Sequence, residues 1–145
     1  MWGDTFLLFE RAHLLRLLAW GGLSLIAGTT VLVVLAIRGA RPPLVTHFAI
    51  QTAAWGAIII ALGALAWHQL AERDLNGLMS LSNRMWLNVG LDAGYIALGF
   101  TLAIAGRVLD KRWAVVGAGI AVALQGLALL ALHLRFLEII SRSVR

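Results

Sequence analysis

Met85–Ala105 reads M-W-L-N-V-G-L-D-A-G-Y-I-A-L-G-F-T-L-A-I-A. Its length and apolar content suit a helix that crosses a bilayer, which needs about 20 such residues. Asp92 is the only acidic residue inside any such apolar segment of the chain. An ionisable group at that depth is costly, so it marks either a functional site or a buried polar contact. On a helix, Arg84, Asn88, Asp92, Tyr95 and Gly99 share one face, and Gly90, Gly94, Ala97 and Thr101 share the other. Gly90 and Gly94 form a small-x-x-x-small pair of the kind that lets backbones approach closely. Both faces therefore have reason to meet protein, in this chain or in another subunit.

Composition extends that reading to the whole chain. The 145 residues are 61% hydrophobic and 13% charged, with a mean hydropathy of +0.88. A soluble domain carries about 25% charged residues, so lipid is the natural solvent for the surplus apolar surface. The isoelectric point near 11.4 comes from 12 Lys and Arg against 7 Asp and Glu. These charges punctuate the ends of apolar runs, as in membrane proteins, and form no basic patch, so nucleic acid is not an expected partner. There is no cysteine, which removes disulfides, thiolate metal sites and cysteine nucleophiles from consideration. The mixed charges of the first 16 residues and the long apolar run after them argue against a cleaved signal peptide.

Four spans follow, at about 17–37, 44–67, 85–105 and 114–134, in a single domain over 17–145. Residues 1–16 mix Trp2, Phe6, Leu7, Phe9, Leu14 and Leu15 with Asp4, Glu10, Arg11, His13 and Arg16. That pattern predicts a short interfacial amphipathic helix. Arg38, Arg41 and Pro42-Pro43 close the first span. The segment 69–84, with Glu72, Arg73, Asp74 and Asn76, reads as the longest and wettest link. Short links favour antiparallel neighbours, hence an all-α up-down-up-down membrane bundle. Both termini then share one side, which carries Arg11, Arg16, Arg73, Arg84, Arg135, Arg142 and Arg145 against Arg38, Arg41, Arg107, Lys111 and Arg112 opposite. That bias points to cytoplasmic termini in a bacterial inner membrane. Trp2, Trp20, Trp67, Trp86 and Trp113 read as interfacial belt residues, with only Trp55 deep.

Depth counted along each span collects the polar side chains. Asp92 falls about 9–10 Å from the terminal side and Tyr95 about 14 Å. Ser24, Trp55 and Gln125 fall near that level, so each of the four spans supplies at least one group to one polar layer. Asn88 lies nearer the terminal side, with Arg84, His68 and His133. His47 and Gln51 lie nearer the opposite side. Asp92 either serves as a proton carrier, cation ligand or ligand anchor, or bonds Tyr95, Gln125 or Ser24 to fix helix packing. His68 and His133 could ligate haem iron or a chlorophyll-type pigment, against the simpler reading of interfacial histidines. No cofactor and no metal site is otherwise expected, and no phosphate loop, dinucleotide fingerprint or nucleophile elbow is present.

H-F-A-I-Q-T-A-A-W-G over His47–Gly56, together with W-L-N-V-G-L-D-A-G-Y over Trp86–Tyr95, resembles a family of small bacterial membrane proteins of unknown function. The resemblance covers about 44–130 and implies a four-helix membrane fold, with no reaction or ligand. From the residues, the leading expectation is a non-catalytic accessory or structural subunit, in contact with lipid and with other membrane subunits or its own copies. A respiratory or photosynthetic complex would be a natural host. The alternative is a small binding or transport protein using the Asp92 layer for a proton, cation, quinone or pigment. The third is a lipid-modifying enzyme relying on His68 or His133.

Overall fold

A computed structural model describes residues 2–71, 73–109 and 111–143, with the side chains of 2–5, 75 and 143 left undescribed. The Trp2 and Asp4 side chains, Glu72 and Arg145 therefore lie outside the described residues. The chain is a four-helix membrane bundle: α1 Trp2–Ile37, α2 Pro43–His68, α3 Leu75–Val108 and α4 Trp113–Ser143. All four are long and apolar enough to cross a membrane. Exposed Leu23, Ile26, Leu62, Leu98, Phe100, Ile104 and Leu127 give the bundle an apolar outer surface, as a lipid-facing surface requires.

Local sequence sets the helix ends. The first helix stops in a Schellman turn. Gly39 takes a left-handed φ of 63°, Gly39 N–H donates to the Ala36 carbonyl at 3.2 Å and Ala40 N–H to that of Leu35 at 3.2 Å. Glycine is favoured there because it has no Cβ to clash. Pro42 then caps α2 and Pro43 opens it, where a missing N–H costs nothing. At the start of α3, the Asp74 carboxylate accepts from Gly77 N–H at 2.7 Å, a side-chain N-cap.

Two expectations change. Residues 2–16 are no separate interfacial helix but the first four turns of α1, which contains no proline to interrupt it. The wet segment 69–84 shrinks to a link over 69–74, because Asp74 starts α3 ten residues earlier than the apolar run does. In consequence α1 spans 36 residues and α3 34, about 54 and 51 Å, against a hydrocarbon core of about 30 Å. The excess lies largely on the terminal side. There Phe6, Leu78, Leu81, Phe136, Leu137 and Ile140 form a buried cluster shared by α1, α3 and α4. α2 has only 26 residues and sends none into that cluster.

The helices pair as α1 with α2 and α3 with α4, and α4 joins the hairpins by packing on α2 and, less extensively, on α1. Among the described residues, α2 and α3 bring no Cα pair within 8 Å. Glycines permit the close pairs. A Cβ added at Gly119 would sit 2.5 Å from the Ala103 nitrogen and 2.6 Å from the Gly99 carbonyl oxygen. One added at Gly28 would sit 2.6 Å from the Ala53 nitrogen. Gly90 and Gly94, singled out for packing, have nothing within 4 Å of an added Cβ and face outward. The close-packing role within the chain falls to other glycines.

Gly119→Leu is expected to destabilise the fold by about 1–3 kcal/mol, the usual cost of overpacking, because main chain and not a flexible side chain blocks the site. Gly94→Leu should leave stability unchanged. Unfolding of both variants in detergent micelles checks the contrast.

Candidate functional site

The gap between α2 and α3 is a cleft with a cavity of about 440 Å³, within the range of small-molecule sites. Arg84 and Asn88 stand towards its terminal-side mouth, Asp92 deeper, and Tyr95 deepest on α3. From Arg84 to Tyr95 the helix descends about 16 Å. α1 and α4 contribute His13 and His133 to the lining.

The register of α3 on α4 puts two polar groups together. Gly126 lets α3 approach: an added Cβ there would lie 3.0 Å from the Asp92 carbonyl oxygen. About two turns further along α4, His133 Nδ1 meets Asp92 Oδ2 at 2.6 Å, with both side chains buried. Each group is the other's desolvated partner.

His13 arrives from α1. Its ring stacks on Phe136, centroids 4.3 Å apart and planes 5° off parallel, and its centroid lies 5.6 Å from that of His133. His13 is only 3% exposed, and its Nε2 is buried without a hydrogen-bond partner. Buried polar atoms are almost always satisfied; among the described side chains this nitrogen and Thr46 Oγ1 are the exceptions, and Thr46 does not line the cleft. Towards the surface, Arg73 Nε donates to Glu10 Oε2 at 2.9 Å and Nη2 to Oε1 at 2.6 Å. This two-pronged bond, with Glu10 nearly buried, clasps the α2–α3 link onto α1. The hydrogen bonds and charge of Glu10 raise the Arg73 pKa above its ordinary value, against the opposing effect of partial burial. At the deep end, Trp55 and Tyr95 meet edge-to-face with centroids 4.8 Å apart.

The polar residues picked out by depth thus separate. Asp92, Asn88, Tyr95 and Trp55 all line the cleft. Ser24 and Gln125 form a different knot: Trp20 Nε1 donates to Gln125 Oε1 at 2.8 Å and Gln125 Nε2 to Ser24 Oγ at 3.1 Å. Trp20 is therefore a helix-bonding residue and not merely a belt residue. His47 is exposed and Gln51 half-buried, and neither lines the cleft. His68 is exposed at the end of α2, in a shallow groove with Leu15, Leu18 and Trp67. It shares no site with His133, whose partner is Asp92.

Glu10, His13, Trp20 and Arg73 are the residues that depth counting missed. A signal for three of them exists. Phe6, Glu10, His13, Leu17, Trp20 and Ser24 follow the alternating spacing of four and three that marks one helix face, but only if the helix is begun before residue 17. No group of three or more His, Cys, Asp or Glu that could hold a metal occurs among the described residues.

The fold and this site define a small helical membrane protein with a cleft between its helices, lined mainly by apolar side chains with a few polar groups among them. The chain belongs to DUF6992, a family of unknown function, whose model matches residues 16–134. Glu10 and His13 lie before the matched stretch. No curated protein matches the chain, and no solved structure does.

Asp92→Ala is expected to cost about 3 kcal/mol by leaving a buried imidazole without its partner. Adding His133→Leu should recover part of that loss, because the apolar pair leaves nothing unsatisfied. A double-mutant cycle measured by unfolding in micelles checks this; strict additivity would mean that the contact carries no coupling.

Proposed function

We propose that this protein binds a lipid-soluble small molecule, taken from the bilayer through the gap between α2 and α3. One observation carries the reading: His13, whose buried Nε2 has no hydrogen-bond partner, is among the residues lining a cavity large enough for such a ligand. Leaving a buried donor or acceptor unmade costs about 1–3 kcal/mol, and a ligand atom would recover it once the imidazole turns from its covered position towards the cavity. Exposed Leu62, Leu87 and Leu91 on the lips of the cleft suit a molecule arriving from lipid. The reading is one of binding and not of catalysis. It favours the binding protein over the accessory subunit. We infer a bacterial inner membrane with cytoplasmic termini from the seven basic residues on the terminal side against five opposite.

The test is to extract the protein into lipid nanodiscs directly from its native membrane and to identify bound small molecules by mass spectrometry. The wild type should retain one molecule that His13→Leu loses. Identical small-molecule content in the two proteins would sink the reading.

The accessory-subunit reading keeps one observation of its own. Gly90, Gly94, Ala97 and Thr101 lie exposed on α3, the face where another subunit or a second copy could approach closely. The chain has no cysteine, so Gly94→Cys is a clean probe. Crosslinking in native membranes should give a discrete larger species if this face is covered, and monomer alone if it faces only lipid.

A further inference from the structure

We propose that the ligand of the cleft is a quinone-type molecule: an uncharged, planar ring bearing hydrogen-bonding oxygens, on an aliphatic tail. This rests on the reading of the cleft as a binding site for a lipid-soluble molecule. Three features narrow the class.

The first is charge balance. Both described acids of the cleft are already partnered: Asp92 by His133 and Glu10 by Arg73. A cationic head would have to draw Asp92 off His133. An anionic head at the same depth would face the Asp92 carboxylate. Arg84, the remaining cation of the lining, sits at the mouth and about 12 Å shallower than Asp92 along α3. An uncharged head leaves both pairs intact.

The second is the shape of the walls. The His13 ring lies flat on Phe136, and Trp55 meets Tyr95 edge-to-face. Aromatic faces and edges at both ends of the inner cleft favour a flat ring over a branched or spherical head. The third is the unmade bond. Turned towards the cavity, an imidazole Nε2 donates to a ring carbonyl in one tautomer and accepts from a ring hydroxyl in the other, so both the quinone and the quinol satisfy it. A bis-histidine haem is a poorer fit. It needs imidazoles on opposite faces of a plane, whereas the His13 and His133 rings lie adjacent, 5.6 Å apart. The tail then leaves between Leu62 and Leu91, along apolar surface that faces lipid.

Calorimetric titration of the nanodisc-embedded full chain with a decyl-substituted benzoquinone tests this, with dodecanoic acid and dodecylammonium as charged comparators. One-to-one saturable binding of the quinone is expected, weakened about tenfold by His13→Leu, as loss of one buried hydrogen bond predicts. Leu91→Trp, a change at an exposed lip position outside the buried core, should block binding while leaving the melting temperature unchanged. It keeps the test valid if His13→Leu fails to fold. Equal or tighter binding of either charged amphiphile overturns the quinone assignment and leaves the lipid-ligand reading standing. A retained pigment identified by its visible absorbance does the same. No saturable binding of any probe, with nothing retained from the native membrane, overturns both.

Discussion

Asp92 and His133 can share a bond only because two backbones touch. In lipid, neither side chain has water to fall back on, and a lone carboxylate at that depth is expensive. The bond forms because Gly99, Gly119 and Gly126 remove the side chains that would hold α3 and α4 apart. A small residue thus sets the distance at which a polar one is satisfied. Everything else at the site inherits that register. His13 is placed against His133 and Phe136 by α1, and the cleft wall on the α3 side is held where α4 allows it.

The cleft itself is a consequence of unequal helix lengths. α1, α3 and α4 overrun the bilayer on the terminal side and close on one another through a small apolar cluster. α2 stops at His68 and is led across by six residues to Asp74. α2 and α3 therefore remain apart, and space is left between the α1–α2 hairpin and α3, which α4 alone bridges closely. Packing density elsewhere makes that space a feature and not slack: Gln125, Ser24 and Trp20 form a satisfied polar knot, and the Thr29, Thr52 and Thr101 hydroxyls donate back to their own helices.

The four apolar runs made the fold legible, because a bilayer admits few ways of hiding backbone polar groups. The inward face of α3 was legible too. Asn88, Asp92, Tyr95 and Gly99 share it by spacing, whereas Leu78 and Leu81, which continue it into the buried cluster, fall in the stretch that reads as a link. The pairing of Asp92 was not legible. Hydropathy marks where a chain becomes wet, whereas a helix ends where its hydrogen bonds find a cap. Counting depth from the apolar runs therefore put His133 in a shallower layer than Asp92 and left His13 outside the bundle altogether. Gly90 and Gly94 show the complementary limit: spacing reveals that a close approach is possible, but not whether a partner is there. The relative register of two helices is a tertiary property, set here by glycines whose contacts no spacing displays.

The Glu10–Arg73 clasp has a mechanical meaning. At its far end α2 is seated where Gly117 meets the main chain of Leu44, and at its near end the link that continues it is tied to α1 by the two bonds from Arg73. α2 is also gripped at its middle, where a Cβ added at Gly56 would meet the Leu25 nitrogen and lie 2.6 Å from the Gly21 carbonyl oxygen. Held at its middle as well as at its ends, α2 forms a fixed wall of the cleft and not a moving one.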